Sequence, residues 1–176
     1  MPILDESETL KKVNYGLSMS THRVWITSPW VSTWLIDRKI IQKDARLIVR
    51  FSDKTDYRIT DFEKLKQLTE EGVWDIRYHP NLHSKMYIFD DFCIIGSSNL
   101  TSRGMGKSGQ SNRETSVLIE SNQEIQDASN RFLEIWEESE PIQDIRFSFK
   151  RKQPKMRGIK DILNLFKPHN PFERIR

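Results

Sequence analysis

Two short stretches hold the residues best suited to chemistry: His83 and Lys85 in LHSKMYIFD, and Ser97 and Asn99 in CIIGSSN. An imidazole serves as nucleophile or proton donor near neutral pH. A lysine supplies positive charge, and Ser and Asn supply neutral donors. Gly96 withholds a side chain where a ligand must approach closely. These groups suit a phosphate. Both stretches read as strands, about 83–89 and 92–98, joined by the Asp90-Asp91 turn. Side chains alternate along a strand. His83, Lys85, Tyr87 and Phe89 therefore share one face, and Ser97 and Asn99 share a face of the next strand. Pairing as a hairpin brings the four polar groups together. Tyr87 and Phe89 lie further in and read as packing, as does Cys93 in mid-strand.

The surrounding elements must hold that hairpin. Residues 5–20 read as a helix, capped by Asp5 or Ser7, with Leu10, Val13 and Leu17 at helical spacing. RVWITS (23–28) and ARLIVRF (45–51) read as strands. The continuous apolar centre of the second suits burial on both faces. Val31, Trp34, Leu35 and Arg38 predict a short helix between them. Residues 60–71 predict a helix with Phe62, Leu65 and Leu68 on one side, stopped at Gly72. VWDIRYH (73–79) is a strand ending before Pro80. The Gly/Ser-rich stretch 101–112 reads as a mobile loop, and RETSVLIE (113–120) as a strand. Residues 121–139 give the clearest helix, capped by Asn122, with Ile125, Ala128, Phe132, Ile135 and Trp136 as its stripe. Early alternation followed by strands in near succession predicts an α/β domain: a mixed β-sheet flanked by helices.

Composition bounds the class. With 176 residues, 36% hydrophobic and 30% charged, the chain has room for one domain with a real core. No apolar run approaches the roughly 18 residues that span a bilayer. MPILDESETL does not read as a signal peptide, and the expected compartment is the cytoplasm. The single cysteine, Cys93, allows no intrachain disulfide. Charge is uneven. Residues 146–176 carry ten Lys/Arg against two acids, a net +8, which leaves −5 on residues 1–145. The expected organisation is a domain over 1–145 and a basic extension over 146–176. A basic extension of this kind meets a polyanion. Its apolar residues, among them Ile162, Leu163 and Phe166, also allow it to dock on the domain, on a second copy of the chain or on a partner protein.

The pattern His83-x-Lys85-x4-Asp90-x5-Gly96-Ser97-x-Asn99 resembles the signature motif of the phospholipase D superfamily, the HKD motif. Six fixed residue types recur by chance at a given start about once in 10⁸. The resemblance extends over residues 20–140. It includes Ser28-Pro29-Trp30 after an early strand, and Asn112-Arg113-Glu114 before a later one. It implies a phospholipase D-like fold and a phosphodiesterase without metal or other cofactor. One histidine attacks phosphorus and forms a phosphohistidine. A second protonates the leaving oxygen and then activates water. Lysine and asparagine hold the phosphoryl oxygens. On this resemblance His83, Lys85, Ser97, Asn99 and Glu114 form the catalytic set, with Glu114 orienting His83. The sequence shows no cluster with metal-ligand spacing.

Only one such motif is present: His22, His79 and His169 each lack a lysine two positions on. A single-motif member needs a second copy, so the resemblance implies a two-fold homodimer with the site on its axis. Small size, the single motif and the basic extension favour nucleic acid, DNA or RNA, as substrate, and an endonuclease as the activity. Arg103, Lys107 and Arg113 flank the 101–112 loop and are candidates to hold neighbouring phosphates. Trp30 is a candidate to stack on a base, although a core role suits it also. No amphipathic membrane anchor is visible. The alternatives are a non-catalytic nucleic-acid-binding or assembly module, and a phospholipase.

Overall fold

The computed structural model describes residues 1–36 and 44–145. Arg38 and the basic extension, with every expectation placed on them, lie outside the described residues. Within them the elements are β1 (Ile3–Leu4), α1 (Glu6–Met19), β2 (Arg23–Thr27), β3 (Asp44–Arg50), α2 (Lys54–Ile59) and α3 (Phe62–Glu70). There follow β4 (Asp75–His79), β5 (Met86–Ile88), β6 (Cys93–Gly96), β7 (Ser116–Ile119), α4 (Asn122–Glu137) and β8 (Glu140–Pro141).

All eight strands join one mixed sheet in the order β1-β7-β6-β5-β2-β3-β4-β8. The β2–β3 and β3–β4 pairs are parallel and the others antiparallel. The α/β fold with a mixed β-sheet flanked by helices is therefore the observed one. The apolar stripe of α4 packs on one face, where Ile125, Ala128, Phe132, Ile135 and Trp136 meet Trp25, Met86, Ile88, Cys93 and Ile119. Full burial of each large side chain contributes roughly 1.5–3 kcal/mol. The other face presents Val24, Ile26, Leu47, Val49, Tyr87 and Phe89, all fully buried. Here α1 comes so close that a Cβ on Gly16 would lie 2.5 Å from the Phe89 ring.

Asp5 caps α1 in a full capping box with Glu8. Gly72 follows α3 with a positive φ of 68°, as a glycine stop requires. Four expectations need correction. The 121–139 helix takes Ser121, not Asn122, as its N-cap residue. The 83–89 and 92–98 strands shrink to three and four residues, because the chain turns aside to build the site. Helix α2 is additional, capped by Asp53 through Thr55 N. The 101–112 stretch is folded into turns, with Met105 fully buried beneath it.

Candidate active site

The hairpin pairs Met86 with Ile95 and Ile88 with Cys93. β6 then pairs with β7, Gly96 opposite Ser116. The chain before β5, after β6 and before β7 therefore meets at one end of the sheet. His83, Lys85, Gly96, Ser97 and Asn99 line one cavity there, of about 390 Å³.

Strand pairing alone does not produce this cluster. Gly96 N donates to Lys85 O at 3.3 Å, so Gly96 is the residue beside Lys85. Strict alternation would turn Ser97 to the opposite face. β6 ends at Gly96, and Ser97 and Asn99 reach the cavity from irregular backbone. Two glycines make that path possible. A Cβ on Gly96 would lie 2.4 Å from Ser116 Oγ, and one on Gly104 would lie 2.4 Å from Asn99 O. Ser98, between the two site residues, is buried, and its carbonyl accepts from Tyr87 Oη at 2.6 Å. That bond pins the turn from beneath.

His83 is exposed, whereas Lys85 is only 7% exposed. Lys85 Nζ donates to His83 O at 2.6 Å and sits 3.3 Å from the ring Nδ1. Burial lowers the pKa of Lys85; Glu114 opposes this and Arg50 adds to it. Asn99 is buried, and its Oδ1 has no hydrogen-bond partner among the described residues. A buried amide without a partner carries a desolvation cost that a ligand can relieve.

Glu114 sits elsewhere than expected. Its carboxylate accepts from Ser97 Oγ at 2.5 Å and from Asn112 Nδ2 at 2.9 Å, and makes no hydrogen bond to His83 of the same chain. The reason is topological: β6 lies between β5 and β7, and strands are spaced about 4.8 Å apart. Within one chain Glu114 therefore orients Ser97. Asp90 lies at the far end of the hairpin, away from the cavity. It accepts from Thr21 N at 2.7 Å, His22 N at 3.2 Å and Arg23 N at 2.7 Å, and so ties the hairpin turn to the start of β2. Burial raises its pKa, but those three bonds outweigh it and the pKa falls.

The flanking candidates separate. Arg103 is exposed, bonds Gln110 Oε1 at 3.0 Å, and lines a second cavity with Trp30, Asn99 and Asn112. Lys107 is exposed and lines neither cavity. Arg113 is almost fully exposed, 3.5 Å from Glu6. Trp30 is half-buried. Its Nε1 donates to Asp56 Oδ1 at 2.8 Å, and the Arg50 guanidinium covers its ring at 4.7 Å.

Sequence reasoning missed Arg50 and Asp56. Asp56 is fully buried and accepts from Arg50 at 2.7 Å and from Ser52 N and Oγ at 2.9 Å each. Burial alone would raise its pKa; the bonds from Arg50, Trp30 and Ser52 bring it down to about 2. No spacing rule links positions 30, 50 and 56, because only the parallel β2–β3 pairing joins them.

Among the described residues no His/Cys/Asp/Glu group could hold a metal ion, and no helix is long and apolar enough to cross a membrane.

Solved structures share this fold. NucT from Helicobacter pylori superposes with a TM-score of 0.63 at 14% identity, over 80% of this chain and 99% of that one. Nuc from Salmonella typhimurium, a phospholipase D family member, gives 0.61 at 16% identity, over 80% and 97%. TrmBL2, an archaeal chromatin protein with a described mode of DNA binding, gives 0.55 at 16% identity. The match covers 80% of this chain but 54% of TrmBL2, about half its length. No curated protein matches. The family described as cardiolipin synthase, PLD-like domain, matches residues 16–136, and the chain thus belongs to the phospholipase D-like family.

Proposed function

We infer that the protein is a phosphodiesterase acting on nucleic acid, an endonuclease that needs no metal and works as a homodimer. The observation that carries this reading is the single cavity lined by His83, Lys85, Ser97 and Asn99. His83 attacks phosphorus, forming an N–P bond as the P–O bond to the leaving strand breaks. The leaving oxygen takes its proton from a second imidazole. That second group then removes a proton from water, which attacks the phosphohistidine and restores His83. Lys85 and Asn99 hold the phosphoryl oxygens, where charge grows in the transition state. Ser97, whose hydroxyl donates to Glu114, lines the wall beside the same phosphate and can donate to it once that bond is released. We assign neighbouring phosphates to Arg103, which lines the adjoining cavity, and to the exposed Lys107 and Arg113.

The second imidazole is His83 of another copy. Two features support a dimer. The chain holds one such motif, so one copy leaves the reaction incomplete. In addition, Ile95, Val117 and Ile3 stand in register across β6, β7 and β1. Ile95 is 38% exposed and Ile3 73% exposed, an apolar row on the α4 face of the sheet. A second copy of this chain is the occupant that would also complete the chemistry.

The test uses wild-type and His83→Ala protein in EDTA with end-labelled single- and double-stranded DNA and RNA. Cleavage by wild type alone is the expected result. Cleavage by both proteins would overturn the assignment of His83. The fold shared with TrmBL2, an archaeal chromatin protein that binds DNA, favours one rival: a binding module. Salt-sensitive binding of the labelled strands without turnover would establish that rival. Hydrolysis of phospholipid alone would instead establish a lipid enzyme.

A further inference from the structure

A second cavity of about 390 Å³ adjoins the phosphate site. It is lined by Trp30, Ile59, Asn99, Ser102, Arg103 and Asn112, with Ser32 and Thr101. Asn99 lines both cavities and is their common wall. The volume lies within the roughly 300–1,000 Å³ of pockets that enclose small organic groups.

Its walls are of three kinds. Trp30 and Ile59 are flat or apolar, and Ile59 is 46% exposed. Ser102 and Asn112 carry hydroxyl and amide groups. Arg103 adds an exposed cation at the rim. Two features mark the site as built. Trp30 is clamped, with its N–H on the fully buried Asp56 and its ring under Arg50. Asn99 is buried with its Oδ1 unpartnered among the described residues. A fixed indole resists collapse and offers a planar contact. An amide oxygen without a partner among the described residues is one that an occupant beside it can meet.

A planar heteroaromatic ring with polar edges, joined to a phosphate one cavity away, fits all three walls. We propose that this cleft takes the nucleobase flanking the scissile phosphate. Stacking on aromatic side chains tolerates every base, so the cleft confers dependence on the presence of a base rather than on its identity. A base inside a cleft has left its stack, so the same geometry requires an unpaired nucleotide at the cut. Arg103 at the rim then meets the next phosphate along the strand. An acyl chain would leave the buried Asn99 Oδ1 as unpartnered as before, whereas the polar edge of a base can donate to it.

The inference rests on the phosphodiesterase reading and is tested separately from it. The full-length wild-type protein is given two single-stranded oligonucleotides of equal length and charge. One is normal, and the other carries abasic residues on both sides of the cleaved linkage. Loss of the base is expected to lower kcat/KM about tenfold or more, since stacking on an aromatic residue is worth that much per base. In Ile59→Ala, at the exposed end of α2, the difference between the two substrates is expected to shrink to about threefold. Equal cleavage of both oligonucleotides by wild type would overturn the cleft and leave the hydrolase standing. A base effect of unchanged size in Ile59→Ala would overturn the assignment of the cleft. Cleavage of neither substrate would overturn the underlying reading itself.

Discussion

Asp56 holds two side chains beside the site, Trp30 and Arg50, from a position with no solvent exposure. Its carboxyl pKa falls from 3.8 to about 2 on folding. The ionised form is thus favoured in the folded state. The stability this gives is complete above pH 3.8 and is lost as pH falls toward about 2. The shift corresponds to about 2 kcal/mol. Asp56→Asn keeps the shape and removes this titration, so urea unfolding of that variant is expected to lose the Asp56 share of the pH dependence in this window and to keep that of Asp90. Asp56→Ala leaves the Arg50 guanidinium and the Trp30 N–H without their partner. Its expected cost is about 3–5 kcal/mol, read from the same urea transitions. His83 behaves in the opposite way. It is exposed and holds no core contact, so His83→Ala is expected to abolish hydrolysis and move stability by less than about 0.5 kcal/mol.

At the scale of elements, the site depends on backbone that has left the strands. Gly104 lies so close to Asn99 that a Cβ would overlap its carbonyl oxygen. Gly104→Ala is therefore expected to displace Asn99 and reduce kcat/KM about a hundredfold, as misplacing a reacting group by about 1 Å does. Stopped assays on the preferred substrate, beside a thermal melt, separate this from unfolding. The strongly periodic elements were legible in the sequence: α1 follows from spacing and its Asp5 cap, α4 from its apolar stripe, and the β5–β6 hairpin from two strand-like runs around a turn. That His83, Lys85, Ser97 and Asn99 come together was legible too, from residue types rather than from alternation, since Ser97 and Asn99 reach the cavity through irregular chain. Three things were not legible. Two-residue strands such as β1 and β8 are too short to show a period. Helix α2 carries no apolar stripe. The tie from Trp30 to Asp56, and the bond from Glu114 to Ser97 in place of His83, follow from which strands are neighbours in the sheet, and strand order is set by tertiary packing.

For the whole molecule, the proposed dimer makes a quantitative claim. A site on the axis needs His83 from both copies. When wild type is exchanged with an equal amount of His83→Ala, about a quarter of the dimers hold two intact histidines. Activity is expected to fall to about a quarter of that of the all-wild-type sample. A value near half would mean that each chain works alone. Light scattering on the same mixture checks that the dimer persists.

The sheet order also bears on how the chain reaches its fold. The three strands that frame the phosphate cavity are neighbours in space and successive in the chain, with Ile88 facing Cys93 only five positions on. By contrast, β2 meets β5 across some sixty residues, and β1 meets β7 across more than a hundred. Contacts between nearby positions close small loops and form first, while distant ones wait. The corner that holds the candidate site is thus the part of the molecule that can take shape before the sheet is complete. In refolding kinetics, Ile94→Ala is expected to give a φ-value above about 0.5 and Leu4→Ala one below about 0.3. On that ordering the chemistry is laid down early, and the N-terminal strand closes the sheet around it last.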